Sequence, residues 1–162
     1  MTALSDPAQR TFQTRFASAE DTAGFAVALG AGLGPGDTVL LTGDIGAGKT
    51  HFARALIQSR LLYPEDVPSP TFTLVQVYDA EGAEVWHCDL YRLTAPEQVI
   101  ELGLDEAMDH AICLIEWPDR LGDMTPAHAL SLSFCVDPQN EAARMLTAYW
   151  TAPRWDAVLD VE

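Results

Sequence analysis

The sequence predicts an α/β sandwich, in which helices flank a central sheet that is mixed and mainly parallel. Three observations lead to this fold class. The apolar run Thr38–Leu41 is followed by a glycine-rich loop and by helical spacing over Lys49–Arg60. A hairpin turn is predicted at Asp79–Gly82. A later apolar run, Ala111–Ile115, ends in the carboxylate of Glu116, which is typical of a buried strand beside a binding site.

The other elements follow from the same patterns. Thr11–Phe16 alternates like a short strand, and Ser18 is placed to cap a helix that extends to about Leu33. The strands of the hairpin are predicted at Thr71–Tyr78 and Glu84–Leu90. The remaining expected elements are helices over Pro96–Leu102 and Asp105–His110, strands over Ala129–Val136 and Arg144–Trp150, and a short helix in the last residues.

The length of 162 residues fits one domain, so we expect residues 1–162 to form a single domain. No apolar run reaches the roughly 18 residues needed to span a bilayer. The first ten residues also lack the apolar segment of a secretory signal. We therefore expect a cytoplasmic protein without membrane contact.

The charge limits the possible partners. The formal net charge is -15, and tight binding to a nucleic-acid backbone requires clustered Lys and Arg. A role in nucleic-acid metabolism would therefore need a partner that makes most of the contact.

The three cysteines, Cys88, Cys113 and Cys135, lie in apolar, strand-like runs, and no two of them have CxxC spacing. They are expected to be buried thiols instead of zinc ligands or disulfide partners.

The segment Gly43–Thr50 matches the P-loop pattern G-x-x-x-x-G-K-[ST]. Glycines allow the backbone to approach phosphates closely, and N–H groups at the helix N-terminus bind anions. Lys49, the one lysine among nine basic residues, can reach the β- and γ-phosphates, and Thr50 offers a hydroxyl to Mg2+. We therefore predict a P-loop NTPase-like sandwich. The residues expected to touch the nucleotide here are Asp44, Ile45, Gly46, Ala47, Gly48, Lys49, Thr50 and His51.

Glu116 occupies the position of a Walker B acid at the end of a predicted parallel strand, where it could hold Mg2+ directly or through water. The alternative is an ordinary carboxylate at a strand end. Trp117 follows it and could pack near the nucleotide or in the core.

Two further segments carry polar groups. Asp89 shares a strand face with His87 and Tyr91, and it could orient an attacking water, while Arg92 could reach phosphate. The alternative is a capped strand end with a surface ion pair. Ser69–Thr73 lies where a hydroxyl could sense the γ-phosphate, although Ser-Pro-Thr also simply starts strands.

Four motifs in order carry a family resemblance: Gly-Asp-Ile-Gly-Ala-Gly-Lys-Thr, Ser-Pro-Thr-Phe-Thr, His-Cys-Asp-Leu-Tyr-Arg-Leu and Ile-Glu-Trp-Pro. Over about Ser18–Pro118 the chain closely resembles the TsaE family, also called YjeE. These proteins are the bacterial ATPases needed for threonylcarbamoyladenosine modification of tRNA. The departures are mild: Cys88 stands where Phe is expected, and His51 follows the P-loop Thr.

The resemblance implies ATP as the nucleotide, with Thr50 and Glu116 as the Mg2+ ligands. It implies that catalysis depends on Lys49, Asp89 and Glu116, and that Asp89 is needed for hydrolysis.

The resemblance further implies that the segment Ser69–Phe72, including Thr71, responds to the nucleotide. Trp117 would lie near the nucleotide and Thr22 would approach the side of the base.

The implied partners are TsaD-like and TsaB-like proteins, with tRNA contacted only indirectly through their complex. Hydrolysis would reset that complex between turnovers.

Two other activities stay open. A small-molecule kinase would need an Arg-bearing lid, and Arg92 and Arg120 stand alone. The second open activity is that of a nucleotide-dependent binding module with little turnover. A GTPase is disfavoured because Asn140 is the only Asn, so an Asn-Lys-x-Asp segment is absent.

Overall fold

The computed structural model describes residues 9–44, 46–68 and 74–159. Within these ranges no helix has the length and apolar character needed to cross a bilayer. The strands are β1 (Arg10–Phe16), β2 (Thr38–Thr42), β3 (Val75–Ala80), β4 (Ala83–Asp89), β5 (Ile112–Glu116), β6 (Leu130–Asp137) and β7 (Asn140–Trp150). The helices are α1 (Ala19–Ala31), α2 (Lys49–Arg60), α3 (Glu97–Glu101), α4 (Leu104–His110) and α5 (Arg154–Val158), with a 3-10 segment at Pro118–Met124.

The described strands form one sheet in the order β1-β7-β6-β2-β5-β4-β3. β2 pairs in parallel with β5 and with β6, and β5 pairs in parallel with β4. β7 is antiparallel to both β6 and β1, and β3 is antiparallel to β4. Five strands therefore run in one direction, and β7 and β3 oppose them. The predicted mixed, mainly parallel sheet is confirmed.

Helices cover both faces of this sheet. On one face, α1, α2 and α5 pack against Val39 and Leu41 of β2, and on the other, α3, α4 and the 3-10 segment pack against Leu40. Since successive strand residues point to opposite faces, a strand covered on both sides must be apolar throughout. This explains the unbroken burial over Thr38–Leu41 and confirms the α/β sandwich.

The two long helices begin where the sequence predicts. The Ser18 side chain accepts a hydrogen bond from the backbone N–H of Asp21 at 3.2 Å and caps α1. α2 begins at Lys49, after Gly48 in the left-handed conformation (φ 107°), and no side chain caps it. The backbone N–H groups of its first turn are thus left without the partner that a capping side chain would provide.

Two strand boundaries differ from the sequence prediction. β3 begins at Val75, and Leu74 before it has a left-handed backbone (φ 63°). Residues 69–73, which include the Ser69–Phe72 segment, lie outside the described ranges. β7 begins at Asn140 instead of Arg144, because a two-residue turn after β6 lets Asn140 pair directly with Asp137.

The expectation of three buried thiols is wrong for Cys135, while Cys88 and Cys113 are buried. Alternation along β6 points Phe134 into the core and Cys135 to the opposite face. On that face Ser131 is only half-buried, so the α3–α4 layer does not extend over β6 and the thiol is exposed. An apolar run alone could not show which of its two faces is covered.

Candidate functional site

Three parallel strands deliver polar residues to the same edge of the sheet. β2 leads into the glycine loop, β5 ends at Glu116 and β4 ends at Asp89. Glu116 lies opposite Leu41 of β2 on one side and opposite Asp89 of β4 on the other. The Walker B carboxylate predicted for a parallel strand end is therefore placed between the loop and Asp89.

The loop requires glycine at defined positions. Gly43, Gly46 and Gly48 have φ angles of 148°, 85° and 107°, a region that other residues rarely adopt. A Cβ at Gly43 would also lie only 2.5 Å from the carbonyl oxygen of Phe134 on β6. The buried Ala47 donates its N–H to the Asp44 carbonyl at 3.0 Å. The loop is thus tightly folded against β6 before any ligand is considered.

Lys49 is held over this loop. Its Nζ donates a hydrogen bond to the Gly43 carbonyl at 2.5 Å and lies 4.1 Å from the centroid of the Trp117 ring. The side chain is only 5% exposed. The ammonium group is therefore fixed at the start of α2, beside the N–H groups that no side chain caps.

Glu116 is buried and has donors on two sides. The Thr50 hydroxyl lies 3.1 and 3.4 Å from its two carboxylate oxygens, and His87 Nε2 lies 2.8 Å from Oε2. A carboxylate only accepts, so Nε2 carries the hydrogen of this bond. These hydrogen bonds offset the cost of burying a charge that is only 2% exposed.

This donor set fits a hard divalent cation. Carboxylate and hydroxyl oxygens are the ligands that Mg2+ prefers, and Mg2+ commonly takes one or two protein ligands together with phosphate oxygens and waters. Within the described residues, no group of three or more His, Cys, Asp or Glu side chains forms a metal cage. Thr50 and Glu116 would thus hold such a cation jointly with a bound phosphate.

Asp89 is half-buried at the end of β4, and its Oδ1 accepts the backbone N–H of Tyr91 at 3.1 Å. Burial raises the pKa of the Asp89 carboxyl, and the nearby charge of Glu116 raises it further. The pKa of Asp89 is lowered in turn by the hydrogen bond from Tyr91 and by the nearby Lys49 and His87. A carboxylate with a raised pKa is a better proton acceptor, which suits a residue that orients water.

These groups surround an open cavity of about 600 Å³. Of the residues predicted from the sequence, its lining contains Gly46, Gly48–His51, Asp89, Arg92, Glu116 and Trp117. A cavity of this size is typical of a small-molecule site. Three of the four sequence motifs, which are far apart in the chain, therefore meet at one cavity, while the Ser69–Thr73 motif lies outside the described ranges.

Trp117 turns the chain at the mouth of the cavity. Its backbone is left-handed (φ 59°), which is uncommon for a residue other than glycine and often marks a functional site. The turn places the centroid of its ring 4.9 Å from that of the Tyr91 ring. The Lys49 ammonium lies over the face of the Trp117 ring. Between the two positions considered for Trp117, the structure places it in the cavity wall and not wholly in the core.

Other predicted residues are not part of the described lining. Asp44 is exposed on the outside of the loop, and Ala47 is buried beneath it. Thr22 is buried in the first turn of α1, where its hydroxyl donates to the Ser18 carbonyl at 3.3 Å. Its contact with a nucleotide stays a prediction. Ile45 and Thr71 lie outside the described ranges.

Sequence reasoning missed two contributors. Arg144 of β7 lines the cavity and donates to the Gly46 carbonyl at 3.3 Å, yet it is 98 residues away in the chain. His87 was assigned only to the same strand face as Asp89, and its bond to Glu116 was not foreseen. Strand alternation could have identified His87, whereas no local pattern identifies Arg144.

Comparison with known proteins gives a consistent result. The sequence matches the family described as "Threonylcarbamoyl adenosine biosynthesis protein TsaE" over residues 16–145. The chain is similar to the "tRNA threonylcarbamoyladenosine biosynthesis protein TsaE" of Rickettsia bellii, at 41% identity over 75% of this chain and 84% of that protein. It is also similar to the protein of that name from Bacillus subtilis, at 34% identity over 73% of each chain.

A solved structure shows the same fold. The crystal structure of Bacillus subtilis YdiB superposes with a TM-score of 0.75 and 26% identity, covering 94% of each chain. The family match covers the glycine loop, Asp89 and Glu116 together, and it extends into β7. The chain therefore belongs to the TsaE family.

Proposed function

We propose that this protein is a Mg2+-dependent ATPase that acts in threonylcarbamoyladenosine modification of tRNA, with residues 1–162 forming one P-loop ATPase domain. The pathway is taken from the names of the relatives, which describe tRNA threonylcarbamoyladenosine biosynthesis proteins. The binding chemistry rests on this chain's own residues.

The observation that carries the proposal is the meeting of Thr50 and Glu116 at 3.1 Å, beside Lys49 and the uncapped start of α2. A hydroxyl, a carboxylate, an ammonium group and backbone N–H groups that no side chain caps together match a Mg2+–triphosphate ligand. An ordinary strand-end carboxylate would face water and would not be buried against the first turn of a helix.

In the proposed complex, Lys49 neutralises the phosphate charge, and Thr50 and Glu116 hold Mg2+. The cation, when bound, supplies electrostatic stabilisation of the charge that develops on the phosphate oxygens. The Trp117 and Tyr91 rings contact each other in the cavity wall, beside the proposed phosphate site.

Asp89 is proposed to orient the attacking water. It lies on the strand next to Glu116, and its raised pKa makes it a competent acceptor for a proton of that water. Hydrolysis would then transfer the γ-phosphoryl group to water and release phosphate and ADP.

The proposed partners are TsaD-like and TsaB-like proteins, and hydrolysis would reset their complex between turnovers. Direct binding to tRNA is disfavoured by the net charge of -15, because RNA phosphates would be repelled. In this proposal the protein is cytoplasmic and contacts RNA only through its partners.

The central test is calorimetric titration of the full chain with ATP and Mg2+. Lys49→Ala should weaken ATP binding by about tenfold or more, since hydrogen bonds to charged groups contribute about 1.5–3 kcal/mol. Arg120→Ala is the matched control, because it removes an exposed cation that does not line the cavity. Unimpaired ATP affinity in Lys49→Ala would refute the assignment of the phosphate site.

The magnesium and partner assignments are tested separately. Mg2+ should raise the ATP affinity of the wild type, and Glu116→Ala should lose that gain. Phosphate release should increase when TsaD-like and TsaB-like proteins are added, and a rate that is unchanged by them would contradict the proposed role.

A further inference from the structure

We propose that Arg144, on β7, is an additional phosphate-binding residue that supplies a cation to the nucleotide cavity from outside the P-loop and the Walker B strand. This inference rests on the proposed function, because it requires a nucleotide in the cavity. It adds a residue from the part of the chain after Pro118, where the sequence motifs had identified none.

The position of Arg144 is set by the sheet. In register, it lies opposite Val136 of β6 and Phe16 of β1, near the start of β7. Its side chain reaches across β6 to the glycine loop, and its Nε would lie 3.8 Å from a Cβ added at Gly48. The guanidinium thus lies at van der Waals distance from the position of Gly48, beside the first turn of α2.

The hydrogen bonds of this guanidinium leave donors for a ligand. Nη1 donates to the carbonyls of Glu141 at 2.5 Å and Ala143 at 3.0 Å, which uses both of its hydrogens. Nη2 donates to the Gly46 carbonyl at 3.3 Å. A guanidinium has five N–H donors, so Nε–H and one Nη2–H have no hydrogen-bond partner among the residues that the structure describes.

The distribution of charge supports an anionic ligand. The described lining contains three basic side chains, those of Lys49, Arg92 and Arg144. It also contains two carboxylates, those of Asp89 and Glu116. The cavity wall is therefore net positive, by one charge, in a chain whose formal charge is -15. A third of the nine basic residues of the chain line this one cavity.

The chemistry of the group points to phosphate as its target. A planar guanidinium with two adjacent donors matches phosphate oxygens, whereas adenine and ribose carry no charge for it to neutralise. The same side chain also holds the Gly46 carbonyl, so it links the strand β7 to the loop that wraps the phosphates. Arg144 would therefore bind the ligand and fix the loop at the same time.

The test is titration of the full chain with ATP–Mg2+ and ADP–Mg2+ for the wild type, Arg144→Met, Arg144→Lys and the control Arg15→Met. Arg15 lies on the adjacent strand β1, is largely exposed and pairs with Asp137. The control thus removes the same charge without touching the cavity. Arg144→Met should weaken the binding of both nucleotides by about tenfold or more. The affinity of Arg144→Lys should lie between those of the wild type and Arg144→Met. The affinity of Arg15→Met should stay within about twofold of the wild type.

Salt dependence separates a phosphate contact from a purely structural role. Losing one cation–phosphate contact should make the nucleotide affinity of Arg144→Met fall less steeply with NaCl than that of the wild type. Equal salt slopes, or wild-type affinity in Arg144→Met, would overturn the inference while the wild type still binds ATP. Absence of ATP binding by the wild type would instead refute the proposed function.

Discussion

At the scale of single residues, Glu116 shows how the site combines burial with charge. The carboxylate accepts from Thr50 on the side of the cavity and from His87 on the side of the core. Removing either donor would leave a buried charge with fewer partners, which is costly. These hydrogen bonds fix the conformation of Glu116 without a ligand, which is the preorganisation that its proposed role requires.

Asp89 is expected to trade stability for activity. Its pKa is raised in the fold, so the ionised form is less favourable in the folded than in the unfolded chain, and it costs stability at neutral pH. Asp89→Asn keeps an oxygen for the Tyr91 N–H and removes that charge. We expect a thermal unfolding midpoint at pH 7 equal to or above that of the wild type, and ATP turnover reduced by about a hundredfold or more.

The stability difference should shrink as the pH falls towards the raised pKa of Asp89, because the wild-type carboxyl then becomes neutral as well. Asp79→Asn, on the exposed part of β3, is the control and should leave turnover unchanged. Wild-type phosphate release by Asp89→Asn would show that Asp89 does not orient the water.

At the scale of elements, the unit β2–loop–α2 was predictable because its signals are local. The apolar run, the glycines and the helical spacing lie within 23 residues, from Thr38 to Arg60, and the structure follows them closely. The Ser18 cap of α1 was predictable for the same reason. Such features depend on neighbours in the chain and need no knowledge of the sheet.

Features that depend on the sheet were not predictable in the same way. The early start of β7, the exposure of Cys135 and the reach of Arg144 all follow from how β6 and β7 pair and from what covers them. These contacts join residues that are far apart in the chain, and periodicity carries no information about them. The motifs therefore predicted most of the described cavity lining, whereas the contribution of Arg144 depends on the register of β7.

The contact between the loop and β6 gives a prediction at this scale. Gly43→Ala places a Cβ 2.5 Å from the Phe134 carbonyl in a backbone conformation that favours glycine, so it should reduce the free energy of unfolding by about 1–3 kcal/mol. Gly24→Ala is the matched control, since a Cβ there, in α1, meets no atom within 4 Å. It should stabilise the protein by about 0.5–1 kcal/mol.

Urea unfolding of the two glycine variants measures both effects. A Gly43→Ala protein as stable as the wild type would mean that the loop does not pack on β6 as described. Destabilisation of Gly24→Ala by a similar amount would mean that the effect is general to glycine replacement.

At the scale of the whole molecule, the charge of the cavity lining is opposite to the net charge of the chain. Acidic residues outnumber basic ones by fifteen, yet the lining of the cavity is net positive. Surface pairs such as Arg10–Asp156, at 2.9 Å, contribute little each, about 0–1 kcal/mol, and cannot offset the general repulsion. The molecule thus combines a strongly negative overall charge with a cavity whose described lining is net positive.

This repulsion should be visible in the response to salt. Raising NaCl from about 20 mM to 0.5 M shortens the Debye length from about 20 Å to a few Å, so we expect the thermal unfolding midpoint to rise by a few degrees. Choline chloride at equal ionic strength is the control for specific ion binding. A midpoint that falls with salt would mean that surface ion pairs dominate over net repulsion.

The hydrogen bonds beneath the cavity also determine where a proton can go. They run from Thr50 through Glu116 to His87 and end there, because His87 Nδ1 is buried and has no partner within the described part of the chain. Among the described residues, these hydrogen bonds lead from the cavity towards the core, because His87 is buried. The cavity, in contrast, is open beside Asp89, so a proton released by the proposed hydrolysis would have its direct exit to solvent there.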